Sequence, residues 1–236
     1  MLEIKLRSGK KIKLTPEHPL LTINGWVPAE ELGKGARIAT PRVLPAFGSK
    51  EMKECDVKLL AYLIAEGHLS NQFVLFSNLD EKIISEFMQS VQEFDERLRV
   101  EIHSNFGCFR VAQKKKKIDI SHVVRNEKGQ FTDESFVIAQ KSSIMQWLES
   151  IGLYGKLSAE KFVPEQIFQL KKEQLAMFLN RMFSCDGTIH RINKTNNWSV
   201  GLASSSEKIA RQVQHLLSRF GINSKLRSKK IKFFPK

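Results

Sequence analysis

At 236 residues and 42% hydrophobic content, the chain can bury an ordinary core and divides into one large or two modest domains. No apolar run approaches the ~18 residues of a membrane span, the first residues alternate charge with Leu and Ile unlike a signal peptide, and Cys55, Cys108 and Cys185 form no CxxC pair. These features exclude a membrane protein and a disulfide or zinc framework and predict an intracellular protein of the cytoplasm or nucleoid, while a net charge of +13 makes nucleic acid the favoured partner.

In chain order, apolar and polar residues alternate from Leu2 to Leu14 across Ser8-Gly9, as in a hairpin, and the stretch to Pro45 is rich in Gly and Pro. Residues 1–47 therefore read as a short β-rich segment, closed by a linker over residues 44–50. Residues 48–160 then give helix, hairpin, helix, hairpin over 56–66, 67–78, 80–94 and 98–113. A closing helix follows at 141–151, where Ile144, Trp147, Leu148 and Ile151 fall at helical spacing. The run Lys114 to Lys117 reads as a basic loop.

Residues 161–236 repeat the order, with helix, hairpin, helix and hairpin over 172–186, 188–204, 207–220 and 224–234. Glu66-Gly67 and Asp186-Gly187 each end an apolar helical run, 120 positions apart. Glu81-Lys82-Ile83 and Glu207-Lys208-Ile209 open the following helices at an offset of 126, which Phe94 and Phe220 keep. The six extra residues fit a longer hairpin tip around Asn193 to Asn197. No counterpart of the closing helix follows the second half. After Glu207 the chain carries no acidic residue, and Lys225, Arg227, Lys229 and Lys232 interleave with Leu226, Ile231, Phe233 and Phe234. That alternation suits strands with one buried side and one side facing DNA.

The helix 172–186 carries an apolar stripe at Leu175, Phe178, Leu179, Met182 and Phe183, with Asp186 at its C-terminal end. An acidic residue before a glycine cap is a common helix ending. A carboxylate there is nevertheless opposed by the helix dipole, so two such helices side by side want a compensating cation, which a divalent metal would supply.

The stretches Leu59-Leu60-Ala61-Tyr62-Leu63-Ile64-Ala65-Glu66-Gly67 and Leu179-Asn180-Arg181-Met182-Phe183-Ser184-Cys185-Asp186-Gly187 resemble the paired motifs of LAGLIDADG homing endonucleases. Lys161-Phe162-Val163-Pro164-Glu165, with Ile167-Phe168, resembles the lead-in of intein-borne members. The resemblance implies an α+β fold of two pseudo-repeated αββαββ halves in one chain, a monomer whose β-saddle sits in the major groove of double-stranded DNA with a long asymmetric target. It implies cleavage of both strands with Mg²⁺, or Mn²⁺, held at Glu66 and Asp186 beside Gly67 and Gly187. Arg110, Gln113 and Lys232 are candidate catalytic partners in the last strands. Ser70, Gln72, His190, Arg191, Asn193 and Lys194, with Lys225, Arg227 and Lys229, are candidate DNA contacts.

Two departures stand out: Glu66 replaces the usual Asp, and Arg181 stands where the family prefers Gly at the helix contact. Thr15-Pro16-Glu17-His18 resembles the TxxH block of inteins and related Hint domains, with Thr15 and His18 as its remnant. The chain begins Met1-Leu2-Glu3, without the Cys or Ser that serves as the nucleophile at the start of an intein. Competing readings are a catalytically inactive, maturase-like DNA- or RNA-binding module, and a fragment of a split or truncated intein.

Overall fold

The computed structural model describes residues 1–70, 73–104, 107–113, 141–192 and 196–229. The chain is α+β. Two antiparallel hairpins open it, β1 (Leu2–Lys5) with β2 (Lys11–Leu14), and β3 (Pro19–Thr22) with β4 (Gly25–Pro28), followed by a 3₁₀ turn at Ala29–Glu31. Then come α1 (Glu54–Glu66), β5 (Gly67–His68), β6 (Val74–Ser77), α2 (Glu81–Phe94), β7 (Leu98–Ser104), β8 (Cys108–Gln113) and α3 (Ser143–Ser150). The sheet order is β5-β6-β8-β7, antiparallel throughout. The short helix α4 (Glu165–Phe168) leads to α5 (Lys172–Asp186), β9 (Gly187–Ile192), β10 (Asn197–Leu202) and α6 (Glu207–Arg219).

Helices α1 and α5 lie against each other at the centre. Val57 and the unbroken run Leu59 to Ile64 are buried on α1, and Leu175, Phe178, Leu179 and Met182 on α5. An apolar run this continuous means a helix covered on several sides: α1 packs on α5, α2 and the strands that follow it. Tyr62, Phe76 and Phe87 form an aromatic knot beneath, the two phenylalanine rings stacked at 4.1 Å.

Arg181 does not obstruct the α1–α5 contact. It reaches past α1 to Glu86 on α2, its Nε and Nη2 each donating at 2.6 Å to one carboxylate oxygen. The Tyr62 hydroxyl donates to the same carboxylate and Lys58 lies 3.3 Å away. A planar guanidinium matched to a carboxylate in this bidentate way is among the stronger side-chain pairs. A long side chain at a position where a small one would bring two helices together thus serves as a cross-tie instead.

The helix starts are capped alike. Asp80 accepts from the backbone N–H groups of Lys82 and Ile83, and Ser206 from that of Ile209, so both helices at the 126-residue offset begin with an oxygen-bearing N-cap. Residues 44–50, expected as a linker, are instead docked. The Leu44 N–H donates to the Ser218 carbonyl, that of Gly48 to Leu170 and that of Lys50 to Gln169, and Lys50 bridges Leu170 in parallel fashion. A Cβ at Gly48 would stand 1.8 Å from the Gln169 carbonyl oxygen, so only glycine permits this approach.

A second difference concerns the last expected hairpin, 224–234. Residues 222–229 form no strand; the Leu226 N–H donates to the Ser8 carbonyl in the β1–β2 turn, and residues 230–236 lie outside the described residues. Among the described residues no helix is long and apolar enough to cross a membrane.

The Glu86 cross-tie sets an acid dependence. Its partners, Arg181 first, hold the carboxyl at about 2 against an ordinary 4.5. A lowered folded-state pKa stabilises above 4.5 and the contribution is lost as pH falls toward 2. Glu86→Gln is expected to cost about 2 kcal/mol at pH 7, the ~1.4 kcal/mol per pKa unit being discounted for partial exposure. Urea unfolding from pH 7 to pH 2.5 should show this gap closing below 4.5. A gap constant with pH would mean that the ion pair contributes nothing.

Candidate functional site

Glu66 and Asp186 are the last residues of α1 and α5, and the packing of those helices brings the two half-buried carboxylates into electrostatic contact. Each helix turns into a strand at once. Gly67 and Gly187 are extended, at φ −73° and −77°, and donate to the Leu63 and Phe183 carbonyls. A Cβ would lie 2.4 Å from the Leu63 oxygen at position 67 and 2.1 Å from that of Phe183 at position 187. The glycines answer to this close approach, because the backbone doubles back onto the last helical turn and leaves no room for a side chain.

Both carboxyls are held above their ordinary pKa. Burial is the main cause at each; for Glu66 the Asp186 charge adds to it, while the Asn78 amide, which donates to Glu66 Oε2, opposes it. Cys185 sits between the two acids, and burial followed by their negative charge drives its thiol far upward. All three cysteines are free, Cys55 buried and the other two half-buried.

The residue that sequence reasoning left without a role is Lys161. It is 2% exposed, and its Nζ donates to the carbonyls of Leu63 at 2.9 Å, Ile64 at 3.1 Å and Gly67 at 2.5 Å. These belong to the helix end where α1 runs out of intrahelical donors, and a cation there also answers the helix dipole. The Lys161 carbonyl in turn accepts from Ser206 Oγ at 2.7 Å, so one residue ties the end of α1 to the start of α6. Burial lowers the ammonium to about 8, while Asp186 pulls it upward. Part of the compensating cation expected at the helix ends is therefore a side chain of the chain itself. The signal was present in the sequence as a lysine opening the Lys161-Phe162-Val163-Pro164 lead-in, but nothing local says where its ammonium goes.

The other candidates are not all brought together. Arg110 lies on the β8 face opposite Leu75 and Glu101; its Nη2 donates to Glu101 at 2.5 Å and its guanidinium lies over the Phe73 ring. Gln113 is exposed at the end of β8, opposite Leu98. Ser70 shares a hydrogen bond of 3.1 Å with His68. His190 pairs with Ser199 and Arg191 with Trp198, so the strand's two-residue period puts His190 and Arg191 on opposite faces, although both are candidate DNA contacts of one hairpin. Arg191 is held by Asn196, its Nε donating at 2.6 Å. Lys225, Arg227 and Lys229 are exposed along the segment that follows α6. Gln72, Asn193, Lys194 and Lys232 lie outside the described residues. Thr15 and His18 bracket an exposed turn in which the His18 N–H donates to the Thr15 carbonyl.

Among the described residues no three His, Cys, Asp or Glu side chains cluster as a closed metal cage. Two crowded carboxylates still fit Mg²⁺, which is usually held by one or two carboxylates together with substrate phosphates and water. The Gly67 carbonyl, expected beside the metal, is engaged by Lys161.

Comparison with known proteins bears on the same region. Residues 173–234 match the family described as LAGLIDADG-like domain. Over 94% of its length the chain is 32% identical to the replicative DNA helicase DnaB of Synechocystis sp., covering 24% of that protein. It is 30% identical over 98% of its length to the replication factor C small subunit of Thermococcus kodakarensis, covering 23%. Against protein RecA of Mycobacterium tuberculosis the identity is 27% over 96% of the chain and 26% of the relative. The chain thus spans about a quarter of the length of these curated relatives.

Two substitutions separate the roles in this cluster. Lys161→Met removes three hydrogen bonds, although the Leu63 carbonyl keeps the Gly67 N–H, and should destabilise by about 2 to 3 kcal/mol, at roughly 1 kcal/mol per hydrogen bond. Asp186→Asn should raise Tm at neutral pH, because burial favours the uncharged carboxyl. Calorimetric melts of both variants decide it; a stable Lys161→Met protein would remove the lysine from its structural place.

Proposed function

We propose that this chain is a LAGLIDADG-type homing endonuclease borne by an intein, cutting both strands of double-stranded DNA at a specific site. The observation that carries the reading is the pair Glu66 and Asp186, which close two packed helices where burial penalises both charges and the Asp186 charge adds to the penalty at Glu66. A fold gains no stability from two such anions. Groups kept in a state that burial opposes are candidates for chemistry.

The comparisons support the reading from a second side. One stretch of chain recurs within a helicase, a replication factor subunit and RecA, covering about a quarter of each. A segment shared by proteins with different names behaves as a portable insertion, as an intein does. The two motif helices, each followed by a hairpin and a second helix, suit two pseudo-repeated halves that spread their strands as a saddle on DNA.

In this reading Glu66 and Asp186 would hold Mg²⁺ or Mn²⁺, which would supply Lewis-acid activation of water and charge neutralisation at the phosphate. The chain's own groups do the positioning. Asn78 fixes the Glu66 carboxylate, and Lys161 locks the helix end from which it projects. The ammonium of Lys161 offsets the Asp186 charge and keeps the cluster from repelling a phosphate backbone outright. His68 and Leu75 share the β-sheet face of Arg110 and Glu101, the face that would meet base edges.

Glu66→Gln and Asp186→Asn keep the side-chain shapes and remove the charges. Each is expected to lower linearisation of a supercoiled target plasmid by orders of magnitude, with DNA binding unchanged or tighter. The assay uses a plasmid library carrying randomised inserts, with Mg²⁺. Wild-type linearisation rates in both variants would take the two carboxylates out of the active site. Tight binding without cleavage by the unaltered chain would favour the inactive binding module.

A further inference from the structure

A cleft of about 750 Å³ lies between the β1–β2 hairpin, the start of α6 and the segment after α6. Its walls carry Lys5, Arg211, Arg227 and Lys229 against one carboxylate, Glu207. That carboxylate is already matched, since Arg211 donates to it through Nε at 2.8 Å and Nη2 at 2.6 Å. Among the described residues Lys5, Arg227 and Lys229 enter no ion pair, and Lys5 meets Glu207 only at longer range, so three exposed cations line one cleft that holds a single carboxylate.

The cleft is held by specific contacts between distant parts of the chain. Leu226 and the Gln214 side chain both donate to the Ser8 carbonyl, at 2.9 and 3.0 Å; Gln214 also donates to the Ser224 carbonyl, and Arg211 Nη1 to that of Gly9. Gly9 adopts φ +87°, and a Cβ there would meet Leu226 Cβ at 2.7 Å, so the turn is shaped to receive the later segment. Ser204 and Ser205 on its wall follow β10, whose last residue Leu202 pairs with Gly187, the neighbour of Asp186.

We propose that this composite cleft is a second DNA-backbone site, in which Lys5, Arg227 and Lys229 grip phosphates of the duplex flanking the strands that β9 and β10 present. It rests on the DNA-binding reading above and extends it to the N-terminal hairpin, giving that segment a function independent of splicing. Unpaired cations along a cleft, with serine hydroxyls beside them, recognise a phosphodiester chain by charge and hydrogen bonding without reading its sequence.

The test measures affinity for a 30-bp duplex of arbitrary sequence across a range of salt, a length of about three helical turns chosen to exceed one groove contact. Three full-length chains are compared: the unaltered one, Lys5→Gln/Arg227→Gln/Lys229→Gln, and Lys50→Gln/Lys53→Gln/Lys172→Gln. The last loses the same charge at the opposite ends of α1 and α5. Each phosphate contact adds ~0.9 to the slope of log K against log salt, so the cleft variant should lose about 2 to 3 from it and the control less than ~1. All substituted lysines and arginines are exposed, so melting temperatures should stay unchanged and report folding directly. Equal slopes in all three chains, or equal losses in both variants, would overturn the cleft and leave the DNA-binding reading standing. A flat salt dependence in the unaltered chain would overturn both.

Discussion

The ammonium of Lys161, buried against the last carbonyls of α1, is the interaction on which the centre of the molecule depends. Without it the helix ends in unsatisfied acceptors beside two carboxylates, an arrangement that burial makes costly on every count. With it, α1 stops at a fixed residue, Gly67 doubles back, and the strand that follows leaves in a set direction. The Lys161 carbonyl carries the same constraint to the cap of α6 through Ser206. A single residue from the connection between the two parts thus registers the first motif helix against the last helix of the second.

Around that point two charged clusters stand in contrasting environments. Arg181, Glu86, Tyr62 and Lys58 make a well-matched polar network that strengthens the helix bundle. A few residues away, burial moves Glu66, Asp186 and Lys161 away from their ordinary pKa in the direction that disfavours charge, which is the opposite situation. Both clusters contain acids and bases, with members on α1 and α5 in each. The difference is whether the charges find bidentate partners or are left without them, and the second arrangement is the one that the proposed divalent-ion site would use.

Much of this was legible from residue order. The stripe on α5, the apolar run on α1, the glycines after each carboxylate, and the matching starts of α2 and α6 all follow from local periodicity and capping chemistry. The β1–β2 hairpin was legible for the same reason. What escaped was long-range: Lys161 meets residues 94 to 98 positions away, and Arg181 meets Glu86 across 95. Residues 44–50 looked like a linker because they carry Pro45, Gly48 and Ser49, yet Gly48 is there to let one backbone touch another. The opposite faces of His190 and Arg191 could have been read from the strand period alone. The fate of residues 222–229 could not, since their contact is with a turn some 218 residues earlier.

The account stands or falls on whether the two helix-end carboxylates share a divalent ion when a phosphate backbone is present. Mn²⁺ uptake measured by the loss of its free EPR signal, with the chain bound to a duplex, asks this without requiring cleavage. The unaltered chain should take up Mn²⁺ beyond the share bound by the duplex itself, and a Glu66→Gln/Asp186→Asn chain at the same DNA occupancy should not. Equal uptake by both chains would contradict the site.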